Sequence, residues 1–113
     1  MDERLRPAER IRKKKEFIDL YKKGQRIKGR YFHLVFKLNK LGYSRMAVVV
    51  SRKIGKATRR NRIKRWFREL FRRNKNLLPV PCDLIFIAQK DISGLTWEEI
   101  REEYLSILTR LAF

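Results

Sequence analysis

The sequence predicts an α+β domain in which three helices pack on a small mixed sheet, in the order helix, hairpin, helix, strand, helix. Three observations lead there. Apolar residues recur at helical spacing in three stretches of the chain. In three others they alternate, or run unbroken for a few residues between turn-forming residues, as in strands. The length of 113 residues is enough to bury one modest core and too short for two. Helices laid on such a sheet make an α+β layer structure.

The first helix is expected over about Arg10 to Lys23. Phe17, Leu20 and Tyr21 stand at i, i+3 and i+4 on one face, and Gly24 follows as a cap. Residues 1–9 are polar, contain Pro7 and are expected to be loosely held, leaving 10–113 as a single domain. Arg30 to Leu38 alternates. Phe32, Leu34, Phe36 and Leu38 point one way, and Tyr31, His33, Val35 and Lys37 point away from the core. The stretch Asn39-Lys40-Leu41-Gly42 suits a turn. Ser44 to Ser51 holds an apolar run that suits a strand covered on both faces, and the two strands are expected to pair as a hairpin. From Lys56 to about Asn74, Ile63, Trp66, Phe67, Leu70 and Phe71 mark the strongest amphipathic helix, ended by Pro79 and Pro81. Cys82 to Ala88 is a short apolar strand. The last helix begins at Thr96, with Glu99 at capping-box spacing and an apolar stripe from Trp97 to Leu111.

Charge points to the partner. Thirty Lys and Arg stand against twelve Asp and Glu, for a formal charge of +18. Residues 1–75 carry 27 of the bases and six of the acids; residues 76–113 carry three and six. Such an excess disfavours the folded state by self-repulsion, which a polyanion would offset. The contact surface is therefore expected in the first two-thirds, with the last third as scaffold. Cys82 and His33 are each the single residue of their kind, which excludes an internal disulfide and a Cys/His zinc site. No apolar run approaches a membrane span, and residues 1–7 lack the apolar core of a signal peptide. A cytoplasmic protein without a membrane partner is expected.

The helix from Lys56 carries most of the functional signal. Opposite its apolar stripe, Asn61, Arg65, Arg68 and Arg72 fall at i, i+4, i+7 and i+11, within about 60° of one another. Arg62 and Lys64 flank this ridge. A guanidinium keeps its charge and offers a planar fork to phosphate, and an amide can bond a ribose hydroxyl or a base edge. A merely solvated helix face would interleave acids with bases. Here Glu69 is the one acid between Arg52 and Lys75, against twelve bases. The preceding Ser51-Arg52-Lys53-Ile54-Gly55-Lys56 leads a strand into the helix, where glycine lets backbone approach a ligand and the helix N-terminus attracts anions.

The run Arg60-Asn61-Arg62-Ile63-Lys64-Arg65-Trp66-Phe67-Arg68-Glu69 resembles the arginine–asparagine–arginine signature of the bacterial ribonuclease P protein family. Lys15-Glu16-Phe17 with Tyr21 and Gly24, Ser51 to Ala57, and Asp83 to Ala88 resemble further family segments, so that the likeness covers about residues 10–112 in order. The resemblance implies a protein that joins one large catalytic RNA in a complex that removes the 5′ leader of precursor tRNA. The RNA carries the chemistry with Mg²⁺ that it mainly holds itself. No organic cofactor and no protein partner is implied. The implied fold includes a left-handed βαβ crossover, where a right-handed one is the general expectation.

By position, the implied RNA contacts are Arg52, Lys53, Lys56, Arg60, Asn61, Arg62, Lys64, Arg65 and Arg68, and the ridge geometry adds Arg72. The implied leader cleft lies between the first helix and the open sheet face, with Phe17 and Tyr21; the alternation adds Tyr31, His33, Val35 and Lys37. Aromatics over a basic groove suit unpaired bases. The spacing of Phe17 and Tyr21 serves core packing equally well. Family members often carry an aromatic where this chain has Val35. A ribosomal RNA-binding protein shares the composition but not the signature. A DNA-binding regulator lacks support from a helix-turn-helix or zipper pattern. A protein-based nuclease lacks a nominated catalytic pair, since Glu16, Asp19 and Asp83 are scattered in sequence.

Overall fold

Four strands and three helices follow one another in the computed structural model, which describes residues 5–112. They are α1 (Lys14–Lys23), β1 (Gln25–Lys28), β2 (His33–Leu38), β3 (Arg45–Val50), α2 (Ala57–Asn74), β4 (Cys82–Ala88) and α3 (Trp97–Leu108). The strands form one mixed sheet in the order β1-β2-β4-β3. β2 is antiparallel to β1 and β4, whereas β3 and β4 are parallel and joined through α2 as a βαβ unit.

The expected hairpin of the second and third strands does not form. β4 lies between them, paired along His33–Ile87 and Leu38–Cys82 on one side and along Arg45–Asp83 and Val50–Ala88 on the other. Burial explains the insertion. β4 is the most fully buried strand, and the central position covers it on both faces and bonds it on both edges. Strands two apart are separated by roughly 10 Å, a gap the connection from Asn39 to Ser44 can bridge. The antiparallel partner on the other side of β2 is β1, an unpredicted edge strand whose Gln25-Arg26-Ile27-Lys28 offers one apolar side chain and leaves polar groups at the edge.

One sheet face holds the main core. Leu34, Phe36, Met46, Leu84 and Phe86 pack against Ile63, Phe67, Leu70 and Phe71 of α2 and Ile100, Tyr104 and Ile107 of α3. Aromatic rings run through it. Phe32 meets Phe67 edge-on at 4.7 Å, Phe67 stacks on Phe86 at 5.1 Å, and Phe86 lies 5.4 Å from Tyr104. The other face holds a smaller core of Ile11, Leu20, Val35, Ile85 and Ile87 beneath α1, with Phe17, Ala47 and Val49 at its margin.

Several local expectations meet their outcome here. Thr96 caps α3 by accepting from the Glu99 N–H at 3.2 Å. Gly55 has φ +103, a conformation that favours glycine, as the chain turns from a short 3-10 segment (Arg52–Ile54) into α2. The first helix starts at Lys14 rather than Arg10, because Arg10 and Ile11 lie extended beside β3 and the Ile11 N–H bonds the Met46 carbonyl at 3.0 Å. Of the segment expected to be loosely held, residues 1–4 lie outside the described residues. Leu5 packs on the main core, Pro7–Glu9 form a 3-10 turn, and Glu9 is buried against Lys75. Truncating Phe67 to Ala is expected to cost about 3–5 kcal/mol, the usual range for a buried phenyl group. Urea unfolding checks this, and a loss below about 1 kcal/mol would contradict a tightly packed aromatic core.

Candidate nucleic-acid interface

Helix α2 separates two chemistries around one axis. Ile63, Phe67, Leu70 and Phe71 are fully buried, so the helix cannot roll without exposing them. On the opposite side Asn61, Arg65 and Arg68 are exposed, and none has an acidic partner among the described residues. Partial desolvation first, and then the neighbouring Arg10, hold the Arg68 pKa below its ordinary value. Arg62 lies over the Trp66 ring at 5.3 Å, and Lys64 is half-buried beside the ridge. Arg52 and Lys53 are exposed on the 3-10 turn before the helix, and Lys56 is exposed at the N-cap position. The basic residues singled out in the sequence are therefore brought onto one helix and the turn that feeds it.

Two of them are engaged within the protein. Arg60 turns back and donates to the Gly55 carbonyl at 2.7 Å, tying the first turn of α2 to the loop before it. Arg72 donates to Glu69 at 2.6 Å, and Arg73 reaches the same carboxylate at 3.0 Å. Hydrogen bonding from Arg72, together with both positive charges, holds the Glu69 carboxyl below its usual range. The one acid of the helix thus partly neutralises the end of the ridge. α3 presents exposed Glu98, Glu99 and Glu102, a surface that would repel the same polyanion.

The second candidate surface is the groove where α1 crosses the sheet. Phe17 is half-buried against the smaller core, and Tyr21 is exposed, its ring stacked 6.2 Å from that of Phe17. The guanidinium of Arg26, from β1, lies 4.5 Å above the Tyr21 ring and donates to the Tyr21 carbonyl at 2.8 Å. His33 is half-buried in β2, and Lys37 is exposed, paired with Asp19 of α1 at 3.5 Å. Two residues depart from the expected face. Val35 is fully buried because Leu20 and α1 cover it, so it forms floor rather than surface. Tyr31 precedes β2, where alternation has not yet begun, and packs against the main core. Its N–H and that of Arg30 bond the Glu103 carboxylate of α3. Tyr31 and His33 share a depression of about 360 Å³ with Gly29, Arg30, Gln89 and Lys90.

Sequence reasoning missed the group that fixes α1 over the sheet. Arg45 of β3 donates to Asp83 of β4 at 2.7 and 3.0 Å and meets Glu16 of α1 at 3.1 Å. The bond to Asp83 leads the effects that push the Arg45 pKa upward. The available signal was a single charge at the head of each apolar strand. Gly24, at the end of α1, has φ −69 and needs no left-handed freedom; it is needed for space, since a Cβ there would stand 2.6 Å from Val35 Cγ1.

A family model described as Ribonuclease P matches residues 5–112. The chain belongs to the bacterial ribonuclease P protein family. The ribonuclease P protein component of Thermotoga maritima is 41% identical, with 98% of each chain covered. That of Petrotoga mobilis is 35% identical over 95% of this chain and 94% of its own. Among solved structures, the ribonuclease P protein from Thermotoga maritima superposes with a TM-score of 0.84 at 40% identity, covering 93% of this chain and 99% of that one. One from Staphylococcus aureus gives 0.83 at 34% identity, covering 91% and 94%. Membership makes the chain a protein subunit of ribonuclease P, a tRNA-processing nuclease. Its mixed four-stranded sheet with three helices is the α+β class read from the sequence.

The partnered and unpartnered arginines should separate on substitution. Arg65→Ala is expected to weaken binding to a ribonuclease P RNA by roughly 1–3 kcal/mol while leaving the melting temperature unchanged. Arg60→Ala is expected to lower the melting temperature as well, because it removes a bond between loop and helix. Filter binding and thermal melts of both variants check this, and normal affinity in Arg65→Ala would contradict the assignment of the ridge.

Proposed function

We propose that the chain binds the catalytic ribonuclease P RNA through the α2 ridge and the turn before it. The groove between α1 and the sheet then holds the single-stranded 5′ leader of precursor tRNA, and so assists its endonucleolytic removal. The observation that carries this reading is the ridge itself. Arg65, Arg68 and Asn61 are held by a buried helix face, exposed and without acidic partners among the described residues. Rigid guanidinium groups at that spacing suit a phosphate backbone without prior rearrangement. Arg52, Lys53, Lys56, Arg62 and Lys64 widen the surface, and Arg60 and Arg72 act mainly in shaping it.

In the groove, Phe17, Tyr21 and Arg26 form a stack that an unpaired base can extend, with His33 and Lys37 along its floor and rim. The reading gives the chemistry of cleavage to the RNA, with Mg²⁺ held mainly by that RNA. Among the described residues no cluster of three or more His, Cys, Asp or Glu is suited to hold a metal ion, and the acids nearest the groove are engaged by Arg45, Lys23 and Lys37. No organic cofactor or second protein enters this reading. It places the complex in the cytoplasm; no helix among the described residues is long and apolar enough to cross a membrane.

Reconstitution tests the proposal. Purified protein added to a bacterial ribonuclease P RNA at moderate Mg²⁺ is expected to speed release of the 5′ leader, and trimming the leader away should remove most of that gain. No stimulation would leave a basic RNA-binding domain of another kind. Tyr21→Ala is expected to weaken leader-dependent substrate affinity by about 1–3 kcal/mol, the range for one stacked base, with no effect on leaderless substrate. Equal loss on both substrates would remove the leader from the groove. If about six phosphates are neutralised, affinity for the RNA partner should fall with salt at a log–log slope near −4 to −5. A flat response would contradict phosphate contact.

A further inference from the structure

Helix α1 carries two rings of the groove, yet it is lightly held. Leu20 is its one fully buried residue, and Phe17 is half-buried at the margin of the smaller core. A helix fixed by one leucine can tilt over the sheet at little cost in apolar burial. Its polar contacts to the sheet therefore bear on where it sits. Asp19 meets Lys37 of β2 at 3.5 Å, but both side chains are about half in water, where such a pair contributes little. Glu16 meets Arg45 of β3 at 3.1 Å, and that contact has a firmer base.

Arg45 is not free to follow α1. Its Nε and Nη2 donate to the two oxygens of Asp83 at 3.0 and 2.7 Å, and the two side chains are 12% and 15% exposed. A bidentate fork leaves a guanidinium little freedom. Asp83 is held in turn by Asn39, which donates to it at 2.8 Å. β3 and β4 are paired along their length, so the fork is a fixed point of the sheet. Glu16 stands directly before Phe17 and five residues before Tyr21. Attraction of RNA does not account for it. An acid beside a groove that takes a polyanion repels that ligand. Arg45 has a partner in Asp83 already, and the three groups together carry one net negative charge. What Glu16 contributes is position.

We infer that Arg45, acting through Glu16, is a positioning residue for leader recognition: the contact between them holds α1 over the sheet so that Phe17 and Tyr21 meet an unpaired base. This rests on the reading of the groove as the leader site. Neither Arg45 nor Glu16 is assigned a contact with RNA; both act through the two rings.

Leader dependence tests it, with the full chain reconstituted on a bacterial ribonuclease P RNA. Glu16→Gln removes the charge of the pair and leaves Arg45 on Asp83. It is expected to raise KM for a leadered precursor tRNA about three- to tenfold, with kcat and the cleavage of leaderless substrate unchanged. Charge alone predicts the reverse, since one acid fewer should tighten the hold on a polyanion. Glu16→Asp restores the carboxylate and should recover most of the loss. In the Phe17→Ala/Tyr21→Ala background Glu16→Gln should have no further effect, because no rings are left to position. Should Glu16→Gln fail to fold by circular dichroism, Arg45→Lys withdraws the fork from the same contact and takes its place. Unchanged or lower KM in Glu16→Gln, alongside a raised KM in Tyr21→Ala, would overturn the positioning role and leave the leader groove intact. A loss that persists in full without the two rings, that is equal on leaderless substrate, or that Glu16→Asp shares in full would also overturn it. No loss in Tyr21→Ala, with no gain from the leader itself, would overturn the groove reading and the positioning role with it.

Discussion

Strand β4 is covered on both faces and hydrogen-bonded on both edges, and the placement of every other element answers to that burial. A strand buried on both faces along nearly its whole length cannot lie at an edge without exposing backbone and side chains. Placed centrally, it forces β2 and β3 apart. It also requires α2 to cross one sheet face on the way from β3 to its parallel neighbour. That crossing presses Ile63, Phe67, Leu70 and Phe71 into the main core. The same crossing leaves the other side of α2 in water. The position of the arginine ridge is thus a consequence of where the apolar residues of β4 must go.

The basic residues divide by what they do for the fold. Arg45 joins β3, β4 and α1 through two carboxylates, Arg59 pairs with Asp91, Arg60 closes the loop before α2, and Arg72 shares Glu69 with Arg73. These contacts engage Glu16, Glu69, Asp83 and Asp91. What remains on the ridge is positive charge without local compensation among the described residues, an arrangement that disfavours the isolated protein and favours a complex with a polyanion. The acidic side chains gather on α3 and at the structural contacts, so the field of the domain is directional. A directional field orients an RNA partner as well as attracting it.

Much of this was legible in the residues. α2 and α3 could be read from their periodicity and caps, and the side of α2 that meets water from the absence of interleaved acids. Pairing was not legible. A strand of alternating residues states which faces it has but not which neighbour it takes, and the short link between β2 and β3 suggested a hairpin that β4 interrupts. β1 escaped notice because one isoleucine among polar residues carries no period. Val35 and Tyr31 were read from alternation alone, which is blind to the helix that covers Val35 and to the point where β2 begins. The inward roles of Arg60 and Arg72 depend on carbonyls and carboxylates that only the folded chain brings near. The docking of Glu9 on Lys75 spans 66 residues of sequence, and no local pattern announces it.

The central claim is that the α2 side of the domain, and not the α3 side, faces the ribonuclease P RNA. A tethered hydroxyl-radical source tests it most directly, attached to cysteine at either Thr58→Cys on α2 or Glu98→Cys on α3. The native Cys82 does not interfere, since it is fully buried and burial pushes its thiol up to about 11. In the assembled complex the account predicts localised strand scission in the RNA from the probe at position 58 and background cleavage from the probe at position 98. Comparable or stronger scission from position 98, or none from position 58, would contradict it.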